Sequence, residues 1–271
     1  MTSASTGAAQ SGSAAIQARL WGARARDWAE VQEGTAVIGL YEEVFDRTKV
    51  GRGTTLLDVG CGAGRACTIA AQRGASVTGL DATPELLAIA RQRVPNAVFH
   101  LGDMETLPFP DDGFDVVTGF NSFQYAADPV RALREARRVA RPGGQIVVTV
   151  WGLPEETEAL GLLKAIADLL PPPPPGAPGP FALSEPDALA GLVRQADLVP
   201  LRAGAVPCVW QYSDLETALR GNLSTGPAVR ASQIAGEARV REVVRESLAP
   251  FAQPDGTYRL LNTFRYLIAQ A

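Results

Sequence analysis

A doubly wound α/β fold around a mostly parallel sheet of seven strands is what this sequence predicts, and three observations carry the reading. From Thr54 onward, short β-branched runs alternate with segments of helical spacing, the pattern of a parallel sheet with helices on both faces. The runs Phe114-Asp115-Val116-Val117-Thr118-Gly119 and Gln145-Ile146-Val147-Val148-Thr149-Val150 are short and turn-bounded, as strands covered on both faces are. The first strand runs through an acid into three spaced glycines and then a helix.

In chain order the spacing predicts strand 54–59, helix 64–73, strand 75–80, helix 84–93, strands 97–100 and 114–119, helix 128–140 and strand 144–150. Together these make a core domain over 51–153. Before it, residues 1–15 hold too little apolar surface to offset chain entropy and are expected to form a disordered tail. Residues 16–50 then carry two helices, Ile16 to Glu33 and Ala36 to Phe45. Within the first, Trp21 and Trp28 fit either core packing or a lid over a ligand. After the core, 154–200 is a helical and proline-rich insertion: helix Pro154–Leu170, a stiff or irregular linker from Pro171 to Pro180, and helix Glu185–Arg194. Region 201–271 returns to the sheet with strands Leu201–Tyr212 and Tyr258–Ile268, separated by a helical cap insertion at 214–250.

Across 271 residues the formal net charge is −4, so there is no global positive field to gather nucleic acid or an anionic membrane surface. The basic run Arg131, Arg134, Arg137, Arg138, Arg141 has helical spacing and reads as a solvated face. Cys61, Cys67 and Cys208 form no CxxC pair, which fits free thiols in a reducing compartment and suggests no metal site. Without a window of signal-peptide or membrane-spanning character, a cytoplasmic protein is expected. Arginine supplies nearly all the positive charge, with Lys49 and Lys164 the only lysines, as in chains from GC-rich bacterial genomes.

The segment Leu56-Leu57-Asp58-Val59-Gly60-Cys61-Gly62-Ala63-Gly64-Arg65 reads as a nucleoside-cofactor loop. Its glycines let the backbone turn tightly and approach a ligand, and the following helix offers unpaired N–H groups. The next strand ends in Asp81, about 20 residues further on, where an acid can bind both hydroxyls of a ribose. A dinucleotide fingerprint would need a small residue at the sixth position from Gly60, and Arg65 stands there.

The arrangement Asp58-x-Gly60-x-Gly62-x-Gly64 resembles motif I of the class I S-adenosylmethionine-dependent methyltransferases, in their small-molecule, type 11-like branch. Gly102-Asp103-Met104-Glu105 is similar to the family's adenine-binding turn, with Asp103 accepting from the adenine amino group and Met104 packing on the ring. Phe114-Asp115-Val116-Val117 and Arg138-Val139-Ala140-Arg141-Pro142-Gly143-Gly144 complete the resemblance, which spans about residues 50–150. It implies a Rossmann-like fold, S-adenosyl-L-methionine as cofactor, and contacts from Asp58, Gly60, Cys61, Gly62, Gly64, Asp81, Ala82, Asp103, Met104, Glu105, Asn121 and Ser122. Several of these residues also fit a structural role. Asp58 can bond the glycine loop, Asp81 can cap the helix at Pro84, Asp103 can open a turn, and Cys61 is a small loop residue.

For the acceptor, Tyr125 follows the fourth strand and is the candidate catalytic and substrate residue, Trp28 is a further candidate substrate residue, and Phe181, Leu183, Trp210 and Tyr212 offer an apolar wall suited to a flat aromatic or polyketide-like molecule. The one histidine, His100, lies in a strand and reads as structural; Tyr212, Asp128 and Asp214 are the other conceivable bases. The expected function is methyl transfer to an O, N or C atom of a small hydrophobic metabolite, in natural-product or quinone chemistry, by a monomer or homodimer. The alternative is a protein of the same fold that binds the cofactor without transferring methyl, either a regulator or a cyclase or isomerase.

Overall fold

A computed structural model describes residues 13–35, 37–172 and 179–271. Most of the expected tail (1–12), Ala36, and residues 173–178 of the expected linker lie outside the described residues.

The N-terminal region holds α1 (Ala14–Gly22), α2 (Ala25–Asp27), a π-helical turn (Trp28–Gln32), α3 (Glu33–Thr35) and α4 (Ile38–Thr48). Helix α1 thus starts inside the stretch expected to be tail, and the single helix expected over Ile16–Glu33 is broken at Arg24 and widened at Trp28. The core follows as β1 (Thr55–Val59), α5 (Arg65–Gln72), β2 (Ser76–Asp81), α6 (Pro84–Arg93), β3 (Val98–Leu101), β4 (Phe114–Phe120), α7 (Pro129–Val139) and β5 (Ala140–Trp151). The C-terminal part contributes α8 (Leu160–Ala167), α9 (Pro186–Gln195), β6 (Val199–Tyr212), α10 (Leu215–Leu223), α11 (Gly226–Ala235), α12 (Glu237–Leu248) and β7 (Tyr258–Gln270).

Two insertion helices are shorter than their apolar spacing suggests. Around Thr157 the chain leaves the helical path to bridge Asn262 of β7, and the Glu158 amide donates to the Leu261 carbonyl at 3.1 Å, so α8 starts only at Leu160. Region 214–250 is cut into three helices, with Thr225-Gly226-Pro227 and Gly236 at the breaks.

The sheet order is β3-β2-β1-β4-β5-β7-β6, with β7 antiparallel to both its neighbours and the remaining pairings parallel. Alternation along the strands divides the core between two faces. Leu56, Val116 and Val147 pack with α4 and α5 on one side, while Leu57, Val117, Ile146 and Val148 pack with α7 and α9 on the other. Such burial on both faces accounts for the unbroken apolar runs in the sequence.

The arginine-rich face of α7 does more than meet solvent. Arg138 donates to the carbonyls of Leu107 and Phe109 and pairs with Glu135 and Asp111, and Arg131 donates to the Glu105 carbonyl, so these side chains fasten the loop between β3 and β4. Among the described residues, no helix is long and apolar enough to cross a membrane.

Candidate functional site

The strand order reverses between β1 and β4, and in open α/β sheets the crevice beyond the carboxyl ends of the strands at that point is where ligands bind. A cavity occupies it. Each of the first four strands delivers residues to the cavity from the turn at its end: Gly60 and Gly62 after β1, Asp81 to Thr83 after β2, Gly102 to Met104 after β3, and Phe120 to Ser122 after β4. Ser13, Gln17 and Trp21 of the first helical segment and Trp28 of the π-helical turn close the remaining side, with Tyr125 beside them.

The glycine loop is fixed from β2. The amides of Gly60 and Cys61 donate to the Leu80 carbonyl at 2.7 and 3.0 Å. One carboxylate oxygen of Asp81 accepts from the Gly62 amide and the other from the Thr83 amide, each at 2.8 Å. Burial raises the Asp81 pKa, while those N–H donors pull it back. Gly60 has φ +74°, and a Cβ there would lie 2.5 Å from the Cβ of Ser122. Glycine is therefore required both by backbone conformation and by the close approach of the β4 turn. Ser122 locks that approach by donating to the Val59 carbonyl at 2.6 Å.

Behind the loop stands a buried acidic pair that does not reach the cavity. Asp58 accepts from the Thr118 hydroxyl at 2.8 Å and from the Cys67 thiol at 3.7 Å, and burial pushes its pKa up to about 7. Glu33 accepts from the Ala63 amide at 2.9 Å and pairs with Arg93; burial raises its pKa to about 6, with Arg93 opposing. Arg93 also donates to the carbonyls of Ala63 and Ala29, at 3.0 and 2.6 Å.

On the far side, Asp103 opens a turn by accepting from the Glu105 amide at 2.9 Å and still lines the cavity together with Met104. Asn121 adopts φ +54°, unusual for a residue with a side chain; its amide donates to the Thr149 hydroxyl at 2.9 Å and its side-chain oxygen accepts from Gln124. Trp21 packs edge-on against both Trp28 and Tyr125, with ring centroids 4.7 and 5.8 Å apart, and its indole N–H donates to Gln17 at 3.0 Å. Burial raises the Tyr125 pKa, keeping the phenol protonated at neutral pH.

Of the residues named from sequence, Gly60, Gly62, Asp81, Ala82, Asp103, Met104, Asn121, Ser122, Trp28 and Tyr125 line this cavity. Asp58, Cys61, Gly64 and Glu105 do not. The Cys61 thiol is buried and its pKa raised, and Glu105 turns away to accept from the Ala127 amide at 2.8 Å. The expected aromatic wall is likewise elsewhere. Phe181 and Trp210 pack on Trp151, and the buried Tyr212 hydroxyl donates to Gln32 at 2.8 Å, all in the core cluster beneath β6 and β7. Asp128 and Asp214 are helix N-caps, accepting from the amides of Arg131 and Thr217. His100 packs its ring edge-on against Phe109. Ser13, Gln17 and Thr83 line the cavity without having been expected there; the four-residue spacing of Ser13, Gln17 and Trp21 puts them on one face of the helical segment but does not say what that face covers.

Among the cavity-lining residues the ionisable side chains are Asp81, Asp103 and Tyr125, with no lysine, arginine or histidine. A lining whose ionisable groups are acids and a phenol suits a ligand carrying hydroxyl and amino donors and a positive centre.

Residues 57–148 match the family model described as "Methyltransferase domain". The malonyl-[acyl-carrier protein] O-methyltransferase of Serratia marcescens is 39% identical over 116 residues, covering 43% of this chain and 43% of that protein. The demethylmenaquinone methyltransferase of Chlorobaculum parvum is 43% identical over 90 residues, 33% of this chain and 37% of that protein. The matched part is thus less than half the length of either relative. Among solved structures, the [4+2]-cyclase SpnF superposes with TM-score 0.51 at 23% identity, covering 83% of this chain and 79% of that one, a likeness of fold. The matched segment runs through the strands and turns that form the cavity, and over that segment the chain is similar to the methyltransferase domain.

Proposed function

We propose that this protein transfers the methyl group of S-adenosylmethionine to an O, N or C atom of a small, largely apolar acceptor. The observation that carries the reading is Asp81. Its two oxygens each accept one backbone N–H, which fixes the carboxylate at the cavity wall, and a carboxylate has lone pairs left over for two ribose hydroxyls. Around it the residues fit the cofactor piece by piece. Asp103 would accept from the adenine amino group with Met104 against the ring, and Gly60, Gly62, Asn121 and Ser122 would border the methionine end.

When bound, the cofactor supplies a methyl group on a cationic sulfur, already activated for in-line displacement. This chain then has to align the acceptor and exclude water. The N-terminal helical region, proposed as a cover over the 51–153 cofactor core, does the second with Trp21 and Trp28. Tyr125 is protonated at neutral pH and is suited to donate a hydrogen bond that orients the acceptor rather than to remove its proton. The absence of a cationic side chain from the lining favours an acceptor without phosphate or multiple carboxylates near the reacting atom.

Titration calorimetry with S-adenosylhomocysteine tests the cofactor assignment. Saturable binding by the wild type and a loss of about 100-fold in Asp81→Ala, near 3 kcal/mol, are expected. No binding by the wild type sinks the assignment. The same lining, with no residue poised as a base, also keeps a second reading in view, and one neighbour in fold is a cyclase. Mass spectrometry of acceptor mixtures separates them, since only methyl transfer adds a methyl mass.

A further inference from the structure

The amides of the glycine loop are all engaged inside the protein. Those of Gly60 and Cys61 donate to the Leu80 carbonyl, that of Gly62 to Asp81, that of Ala63 to Glu33, and that of Gly64 to the Cys61 carbonyl at 3.0 Å. Glu33 thus takes the anion position just before α5 that a ligand carboxylate could otherwise fill. With no lysine, arginine or histidine in the lining, an anionic group beside this loop is left to neutral side-chain donors.

Trp28 supplies one. Its Nε1 lies 3.6 Å from where a Cβ on Gly62 would stand, and both residues line the cavity. Among the described residues that N–H has no acceptor. Unlike the sealed Nε1 of Trp210, it belongs to a partly exposed residue and keeps accessible surface of its own. Edge-on packing against Trp21 fixes the ring, and the π-helical turn that carries it runs directly into Glu33, so the donor is in place before a ligand arrives. The Glu33 oxygen that also faces Gly62 is paired with Arg93, which offsets its charge.

The inference rests on the cofactor reading above, which puts the amino-acid end of the ligand against Gly60 and Gly62. At that end the sulfonium and the ammonium are cationic and accept nothing, so the carboxylate is the group an N–H can serve. We propose that the Trp28 indole N–H donates to this carboxylate, and that Trp28 thereby selects ligands carrying the amino-acid tail over nucleosides that lack it. Hydrogen bonds to ionised acceptors are the strong ones, so loss of this donor is measurable.

Calorimetry on wild type and Trp28→Phe, comparing S-adenosylhomocysteine with methylthioadenosine, tests this. The second ligand keeps the nucleoside and its sulfur without the tail, and phenylalanine keeps an apolar ring without the donor. The variant should bind S-adenosylhomocysteine about tenfold more weakly, or by about 1.4 kcal/mol, and methylthioadenosine less than about twofold more weakly. In the wild type the Trp28 indole N–H resonance should shift downfield with S-adenosylhomocysteine and far less with methylthioadenosine, a readout that does not depend on the variant folding. Equal losses for the two ligands would make Trp28 a packing residue, and no loss for either would leave it without a ligand role. Both results overturn the proposal and leave the cofactor reading standing. A wild type that does not bind S-adenosylhomocysteine overturns the two together.

Discussion

The Glu33 carboxylate accepts a hydrogen bond from the Ala63 amide at 2.9 Å, tying the N-terminal helical region to the glycine loop across 30 residues of sequence. Arg93 of α6 completes the junction by pairing with Glu33 and donating to the carbonyls of Ala63 and Ala29. The chain segment that places Trp28 at the cavity is therefore held by the loop that forms the cavity floor, and loss of either should loosen both.

Removing the carboxylate isolates that coupling. Glu33→Ala leaves Arg93 as a partly buried charge without its partner, a change that costs about 3–5 kcal/mol, and should lower the melting temperature by about 10 °C. Glu33→Gln keeps an oxygen for the Ala63 amide and should lose about half as much. Calorimetric melts of the three proteins decide. An alanine variant that melts with the wild type would mean water replaces Glu33 at no cost.

Gly60 and Ser122 make a second coupled pair. Alanine at 60 meets Ser122 at 2.5 Å and carries a strained positive φ, so Gly60→Ala should push the β1 and β4 turns apart and weaken S-adenosylhomocysteine binding by at least about tenfold, or about 1.4 kcal/mol. Adding Ser122→Gly removes the colliding Cβ and should restore part of the affinity, leaving the φ strain. Calorimetry on the single and double variants measures the coupling. Strict additivity would place the damage in backbone conformation alone.

Much of this architecture was legible because its signals are local. The seven strands show as β-branched runs, and the glycine loop at the crevice shows as spaced glycines followed by Asp81. What escaped depends on distant partners. Nothing near Glu33 in sequence points to Ala63 or Arg93, and apolar spacing over 16–33 does not reveal the π-helical turn that sets Trp28. Phe181, Trp210 and Tyr212 look like a pocket wall in sequence because hydrophobicity alone cannot separate a wall from a core. Asp128, by contrast, directly precedes Pro129, and that pairing is itself a helix-start signal.

Asp58 carries a pH dependence of stability. Its native pKa is about 7, against about 3.9 for an unperturbed aspartate, so between those values the native protein holds a proton that the unfolded chain lacks. Its contribution is fully present below the lower value and is lost as pH rises through 7. Asp58→Asn imitates the neutral acid and keeps an oxygen for the Thr118 hydroxyl. It should gain at least about 1 kcal/mol, or about 2–4 °C, relative to wild type on going from pH 5 to pH 8. The Glu33 charge adds to the rise at Asp58, so the melting difference between the two proteins reports Asp58 together with that coupling. An equal melting difference at the two pH values would show that the carboxyl is already ionised in the native state.

Trp210 tests the division between core and cavity. Its ring is 4% exposed and lies 5.7 Å from Trp151, its Nε1 has no acceptor, and it does not line the candidate cofactor cavity. Trp210→Phe deletes an unpaired buried donor and some volume. These effects oppose each other, so stability should change by no more than about 1 kcal/mol. Trp210→Ala removes the ring without replacement and should cost about 3–5 kcal/mol. In both variants the fraction that remains folded should bind S-adenosylhomocysteine with wild-type affinity. A phenylalanine variant that melts like the wild type but binds at least about tenfold more weakly, or by about 1.4 kcal/mol, would instead connect this aromatic cluster to the ligand site.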